Sequence, residues 1–120
     1  MATGDDSLKN ALSRANEIRD SVTGRKSGRV ISNPVWFAVD QDKLYLLPVK
    51  GSDTQWYKNV VKERSIKVKA GGAEVELKVT LVTDAKPVAS VVEKFREKYG
   101  AGDVKKYYSK LDVAVVAPLR

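Results

Sequence analysis

Two runs of alternating residues flank Gly71-Gly72: Ser-Ile-Lys-Val-Lys-Ala over 65–70 and Ala-Glu-Val-Glu-Leu-Lys-Val-Thr-Leu-Val-Thr over 73–83. Period-two alternation on both sides of a two-residue glycine turn specifies a β-hairpin, because a tight primed turn needs positive φ and the twist must match the strands. Reading outward from the turn, Lys69 faces Glu74, Lys67 faces Glu76, Val68 faces Val75 and Ile66 faces Leu77. One face therefore carries charged pairs and the other packs into a core. This hairpin commits the chain to an antiparallel β scaffold.

The remaining segments fit such a scaffold. Residues 17–22 continue a helical stripe through Ile18 and Val22 but also share a strand face, and a strand is the reading that turns the following glycine loop into a hairpin connection. Residues 30–39 form a strand with Val35, Phe37 and Val39 on one face and Trp36 and Ala38 on the other; Asp40-Gln41-Asp42 turns it and 43–49 returns. Pro34 cannot donate to a ladder, so it marks an interruption or an edge where backbone is open to a ligand, or else a simple bulge. Ser52 and Gln55 have capping-box spacing ahead of a helix reaching about Arg64. Asp84 caps a helix with Val88, Val91, Val92, Phe95 and Tyr99 at helical spacing and Gly100 as its stop; Asp103 caps a shorter one. An alternating strand over 111–119 closes the chain. Ahead of all this, Leu8, Ala11, Leu12 and Ala15 make an amphipathic helix behind Ser7.

The expected architecture is mainly β (α+β), an antiparallel barrel of about six strands with two to four helices. At 120 residues the chain is expected to be one domain, with a helix and arm over 1–16 and the barrel over 17–120. No run of apolar residues is long enough to span a membrane, and the acidic start is unlike a signal peptide. A cytoplasmic, membrane-free location is the expectation.

Composition removes whole classes of chemistry. The chain has no cysteine and no histidine, so disulfides, thiol nucleophiles, Ser-His-Asp triads and His-ligated zinc are absent. Redox or group-transfer chemistry would need a cofactor. A balance of 22 basic to 15 acidic residues, net +7, favours anionic partners such as a phosphorylated cofactor or a nucleic acid. No GxGxxG or Walker loop is present.

Two stretches qualify as anion sites. Thr23-Gly24-Arg25-Lys26-Ser27-Gly28-Arg29 sets three cations around two glycines, either as a phosphate clamp or as a solvated basic hairpin turn. Lys50-Gly51-Ser52 precedes a helix N-terminus, either as a second anion site or as ordinary capping.

The Thr-Gly-Arg-Lys-Ser-Gly-Arg loop, the strand with Asn-Pro-Val-Trp-Phe, the Asp-Gln-Asp turn, Leu-Tyr-Leu-Leu, and Gly-Ser ahead of Trp-Tyr-Lys-Asn-Val together resemble the deazaflavin-dependent nitroreductase family, within the pyridoxamine-phosphate-oxidase-like split β-barrels. The resemblance covers roughly residues 17–83. It implies a split β-barrel homodimer that binds an 8-hydroxy-5-deazaflavin coenzyme, or alternatively FMN, at its interface and exchanges a hydride with a small organic acceptor. Carried over, Arg25, Lys26, Ser27 and Arg29 would hold the phosphate and acidic tail. Asn33, Pro34, Val35 and Trp36 would border the ring. Lys50, Gly51 and Ser52 would follow the phosphate-bearing side chain, with Trp56 and Asn59 behind them. The chain departs from the family in lacking a longer glycine- and proline-containing insert before Trp56. No catalytic residue is assigned; Tyr57, Tyr107 and Tyr108 are the candidate proton donors. The alternatives are a non-catalytic flavin or deazaflavin carrier, and a nucleic-acid-binding barrel using Trp36, Tyr45 and Trp56 as stacking platforms. Against the last, these aromatics are not interleaved with cations on one strand face.

Overall fold

The computed structural model describes residue 12 and residues 18–24, 26, 28–40, 42–70 and 73–119. The helix and arm expected over 1–16 thus lie outside the described residues, apart from Leu12, which is buried in the core. Arg25, Ser27 and the Gly71-Gly72 turn lie outside them too.

The described residues form eight strands and three α-helices: β1 (Ile18–Thr23), β2 (Val30–Val35), β3 (Ala38–Asp40), β4 (Lys43–Leu46), α1 (Gln55–Glu63), β5 (Ser65–Ala70), β6 (Ala73–Lys78), β7 (Thr80–Val82), α2 (Ala85–Tyr99), α3 (Ala101–Tyr107) and β8 (Ala114–Pro118). They make two four-stranded antiparallel sheets, ordered β2-β1-β5-β6 and β3-β4-β8-β7. This is a split barrel. The hairpin register is the expected one, with Lys69 opposite Glu74, Lys67 opposite Glu76, Val68 opposite Val75 and Ile66 opposite Leu77. Residues 18–23 are a strand that turns Ile18, Asp20 and Val22 inward.

Six expected strands become eight because two long runs break where the chain passes from one sheet to the other. The 30–39 run splits around Trp36 and Phe37 into β2 of the first sheet and β3 of the second, and the 73–83 run splits at Val79 into β6 and β7. Alternation alone carries no sign of this, since a strand that changes sheets keeps its apolar residues. Pro34 falls on β2, an edge strand exposed along most of its length, where a missing N–H is tolerated.

Two cores result. Ile18, Val22, Phe37, Leu44, Leu46, Val60, Ile66, Val68 and Val115 fill the space between the sheets. Ala38, Leu47, Val88, Val91, Val92, Phe95, Val104, Tyr108 and Ala114 join the outer face of the second sheet to α2 and α3. β8 serves both, with Val115 and Ala117 facing one core and Ala114 the other. The α2 stripe is as its spacing predicts, and Gly100 (φ +94°) ends it and at once begins α3, so Gly100 and not Asp103 holds the α3 N-cap. Asp84 takes the α2 N-cap position without a side-chain capping bond.

The capping box at Ser52 and Gln55 is corrected. Residues Gly51–Asp53 form a 3₁₀ turn, and α1 is capped by Thr54, whose Oγ1 accepts from the Tyr57 amide at 3.2 Å. Ser52 is drawn elsewhere, as shown below. Thr54→Ala is therefore expected to lower stability by about 1 kcal/mol in denaturant titration, and Gln55→Ala by much less; equal losses would return the cap to a Ser52–Gln55 pair.

Candidate functional site

The site forms where β2 and β4 run out. β2 ends at Val35 and β4 at Leu46, and the segments that follow face each other across two adjoining clefts that share Pro34, Val35, Leu47 and Val49. One, of about 380 Å³, is completed by Trp36, Tyr107 and Tyr108. The other, of about 300 Å³, is completed by Asn33, Leu46, Pro48, Thr54 and Trp56. Each reaches the lower size range of small-molecule sites, and their mostly apolar walls suit a flat, uncharged ring.

Trp36 is fixed by aromatic packing. Its ring stacks on Tyr99 at 4.1 Å between centroids with planes 9° apart, and meets Tyr107 edge-on at 5.3 Å. The Tyr99 hydroxyl accepts from the Phe37 amide and donates to the Phe37 carbonyl, both at 3.1 Å. The Lys98 ammonium donates to the same carbonyl at 3.1 Å and lies 3.3 Å from the centre of the Phe37 ring. Burial pulls the Lys98 pKa down to about 8, so it stays charged at neutral pH. Sequence reading placed Tyr99 on a helix stripe and missed this role, because nothing local to Tyr99 signals a partner 62 residues away.

Behind the smaller cleft sits Asp20, fully buried. Its Oδ2 accepts from the Trp56 indole Nε1–H, and its Oδ1 has no hydrogen-bond partner. Burial pushes its pKa up to about 7, opposed by the indole bond. Asn33, directly opposite Asp20 on β2, lines the same cleft as Trp56. Asp20 was not among the expected site residues; its one sequence signal is a carboxylate on the inward face of a strand whose other inward residues are apolar.

The proposed anion sites fare differently. Ser52 Oγ donates to Asp112 Oδ2 at 2.6 Å and the Ser52 amide donates to Asp112 Oδ1 at 3.0 Å. Lys110 lies 3.7 Å from Asp112 and 3.1 Å from Asp53. Partial burial works against it, but the Ser52 bonds and Lys110 hold the Asp112 carboxyl below its ordinary value. The groups of Ser52 that would meet a phosphate at Lys50-Gly51-Ser52 thus already hold the chain's own carboxylate. Gly51 (φ +58°) is required there, since a Cβ would fall 2.0 Å from Asp112 Oδ1.

In the 24–29 loop, the Gly24 amide donates to Arg29 O at 2.7 Å and the Gly28 amide to Gly24 O at 2.9 Å, so these two amides close the turn instead of facing a ligand. Any clamp there relies on side chains. Lys26 is exposed, and Arg29 stands one residue before β2. From Val30 to Asn33 is three residues of strand, roughly 10 Å, which separates this loop from the clefts.

Of the resemblance-derived residues, Asn33, Pro34, Val35, Trp36 and Trp56 converge on the clefts. Asn59 is buried one turn beyond Trp56, and Lys50 is exposed beside Val49. Among the tyrosines, Tyr57 is packed in the inter-sheet core, with burial and then Asp112 raising its pKa. Tyr108 is buried and its pKa is pushed up by that burial and by Tyr99. Tyr107, 51% exposed, combines a place on a cleft with access to solvent. Trp36, Tyr45 and Trp56 do not form one open stacking surface: Trp36 lies on Tyr99, Tyr45 lies under Lys94, and Trp56 is bonded to Asp20. No helix among the described residues is long and apolar enough to cross a membrane.

Two stability predictions follow from this geometry. The folded state keeps a proton on Asp20 up to about pH 7, whereas the unfolded chain releases it near 3.8, so this group's contribution falls as pH rises between those values and is flat above. Asp20→Asn mimics the neutral acid, and the stability gap in its favour should widen by roughly 3 kcal/mol from pH 5 to pH 8 in urea titrations; parallel profiles would refute the buried carboxyl. Gly51→Ala should cost about 2 kcal/mol or more through its positive φ and the Asp112 contact, and less in an Asp112→Ala background.

Comparison with curated proteins by sequence returns no match. Comparison of folds does. The structure is similar to an F420-H2 dependent reductase (FDR-A), with TM-score 0.67, 18% identity and coverage of 85% of this chain and 93% of that one. It is similar to a structure described as a domain-swapped dimer (TM-score 0.67, 16% identity, 96% and 99% coverage) and to the heme storage protein HutZ from Vibrio cholerae (0.68, 11%, 98% and 89%). These likenesses establish the split-barrel fold of the pyridoxamine-phosphate-oxidase type. A family model spanning residues 10–116 matches as well, and the chain belongs to that family, described as an uncharacterized protein conserved in bacteria (DUF2255).

Proposed function

We propose that this chain is an oxidoreductase that seats a deazaflavin coenzyme in the paired clefts, as a homodimer, and exchanges a hydride with a small organic acceptor. The observation that carries the reading is the convergence of Asn33, Pro34, Val35, Trp36 and Trp56 on two apolar clefts beside an exposed edge strand. The resemblance assigns Asn33, Pro34, Val35 and Trp36 to the ring and sets Trp56 behind the phosphate-bearing side chain, and apolar walls with few polar groups fit a ring. The coenzyme would supply the hydride chemistry. The chain's part is to orient the ring between Trp36 and Trp56 and to keep water from it.

The engagement of Ser52 by Asp112 bears on where a coenzyme's anionic groups would sit. Lys26 and Arg29 lie roughly 10 Å along β2 from the ring site, within reach of the phosphate-bearing side chain of either coenzyme, and the acidic tail of the deazaflavin would extend beyond it. Heme suits the chain less, because neither histidine nor cysteine is available as an axial ligand. Dimerisation is supported by exposed apolar side chains, Val49 (50% exposed) and Tyr107 (51%) on the clefts and Val30 (66%) at the far end of the β2 edge strand.

Absorption titrations of the purified protein with the deazaflavin coenzyme and with FMN test the proposal. Tight binding of the deazaflavin is expected, with Arg29→Ala and Lys26→Ala each losing roughly ten- to a hundredfold. Lys67→Ala and Lys69→Ala remove the same charge from the distant hairpin face and should bind normally. Equal losses at all four positions would point to nonspecific charge, and no binding of either coenzyme would reject the reading.

A further inference from the structure

Asp20 is unusual beyond its burial. Its neighbours across the sheet are Asn33 on β2 and Val68 on β5, and α1 packs over it with Trp56. No charge among the described residues compensates it. β2 carries no titratable side chain. On β5, Lys67 and Lys69 point to the opposite, exposed face. On α1, Lys58, Lys62 and Glu63 are exposed, while Tyr57 is buried and neutral. On β1 itself Arg19 points outward. Among the described residues the carboxyl thus has one donor, the Trp56 indole, and one oxygen with none. That donor is also a wall of the 300 Å³ cleft.

We propose that Asp20 is a positioning residue for this cleft: gain or loss of its proton resets the Trp56 indole, and with it the wall that a ligand meets between Asn33, Thr54 and Trp56. When the carboxyl is neutral its proton resides on Oδ1, because Oδ2 accepts the indole N–H, and a neutral pair holds the ring by an ordinary hydrogen bond. When it is ionised the bond becomes charge-assisted and about twice as strong, and the bare Oδ1 draws on any further donor that the wall can bring to it. Burial brings the changeover to about pH 7, where a modest change in conditions shifts the population. The inference takes from the proposed function only that this cleft is the ligand site.

The test needs no ligand. In ¹H–¹⁵N spectra of the full chain the two tryptophans give two indole signals, and the loss of one in Trp56→Phe assigns them. Between pH 5 and pH 9 the Trp56 indole should titrate with a midpoint within about one unit of 7 while Trp36 stays still, and Asp20→Asn should abolish the change. Nuclear Overhauser contacts from the Trp56 ring to Thr54 and Asn33 should alter across the same midpoint. A flat Trp56 signal, a titration that survives Asp20→Asn, or ring contacts that never change would each overturn the proposal. Should Asp20→Asn fail to fold, the Asp20 carboxyl-carbon resonance in the wild-type chain decides: a midpoint matching the indole supports the proposal, and an ordinary aspartate value overturns it. Failure of coenzyme binding would sink the proposed function and leave this readout intact.

Discussion

The architecture depends on how the backbone is held as it leaves the first sheet for the second. At Phe37 both backbone polar groups leave the strand ladders at a point buried from water, where an unpaired amide or carbonyl costs about 1–3 kcal/mol. Tyr99 answers both with one hydroxyl and Lys98 adds a charge-assisted bond to the carbonyl, while the Phe37 ring sits in the inter-sheet core. The same tyrosine stacks under Trp36, so the residue that closes the crossing also orients the aromatic wall of the larger cleft. Fold and site are coupled through α2, which delivers Tyr99 from its last turn.

Electrostatics around the site follow from this packing as much as from net charge. A surplus of seven positive charges suggests open anion sites, yet the groups best placed to hold an anion are already engaged. Asp112 takes the Ser52 amide and hydroxyl, and Asp53 and Asp112 share Lys110. In the basic loop the Gly24 amide donates to the Arg29 carbonyl and the Gly28 amide to the Gly24 carbonyl. The fold thus engages Ser52 with an internal carboxylate and leaves side-chain cations on the loop. Meanwhile Asp20, with no compensating charge among the described residues, relies on one indole in a place where ionisation is costly.

Much of this was determined by sequence alone. Alternation and the Gly71-Gly72 step set the 65–78 hairpin to its register and spacing set the buried stripe of α2, because each is a local rule of backbone geometry and side-chain period, while Pro34 left an interruption, an edge and a bulge open until the sheet order made β2 an edge. The resemblance over roughly residues 17–83 pointed to the split barrel and named Asn33, Pro34, Val35, Trp36 and Trp56 among its candidates, five residues that the fold brings to the clefts. Only the tertiary structure decided where two long strands change sheets, that Thr54 and not Ser52 caps α1, that Asp112 engages Ser52, and that Asp20 is bonded to Trp56. The reason is common to all four. Each is a contact or break imposed by residues distant in the chain, 60 positions for Ser52 and Asp112 and 36 for Asp20 and Trp56, and a local pattern holds no record of which distant partner will claim a polar group first.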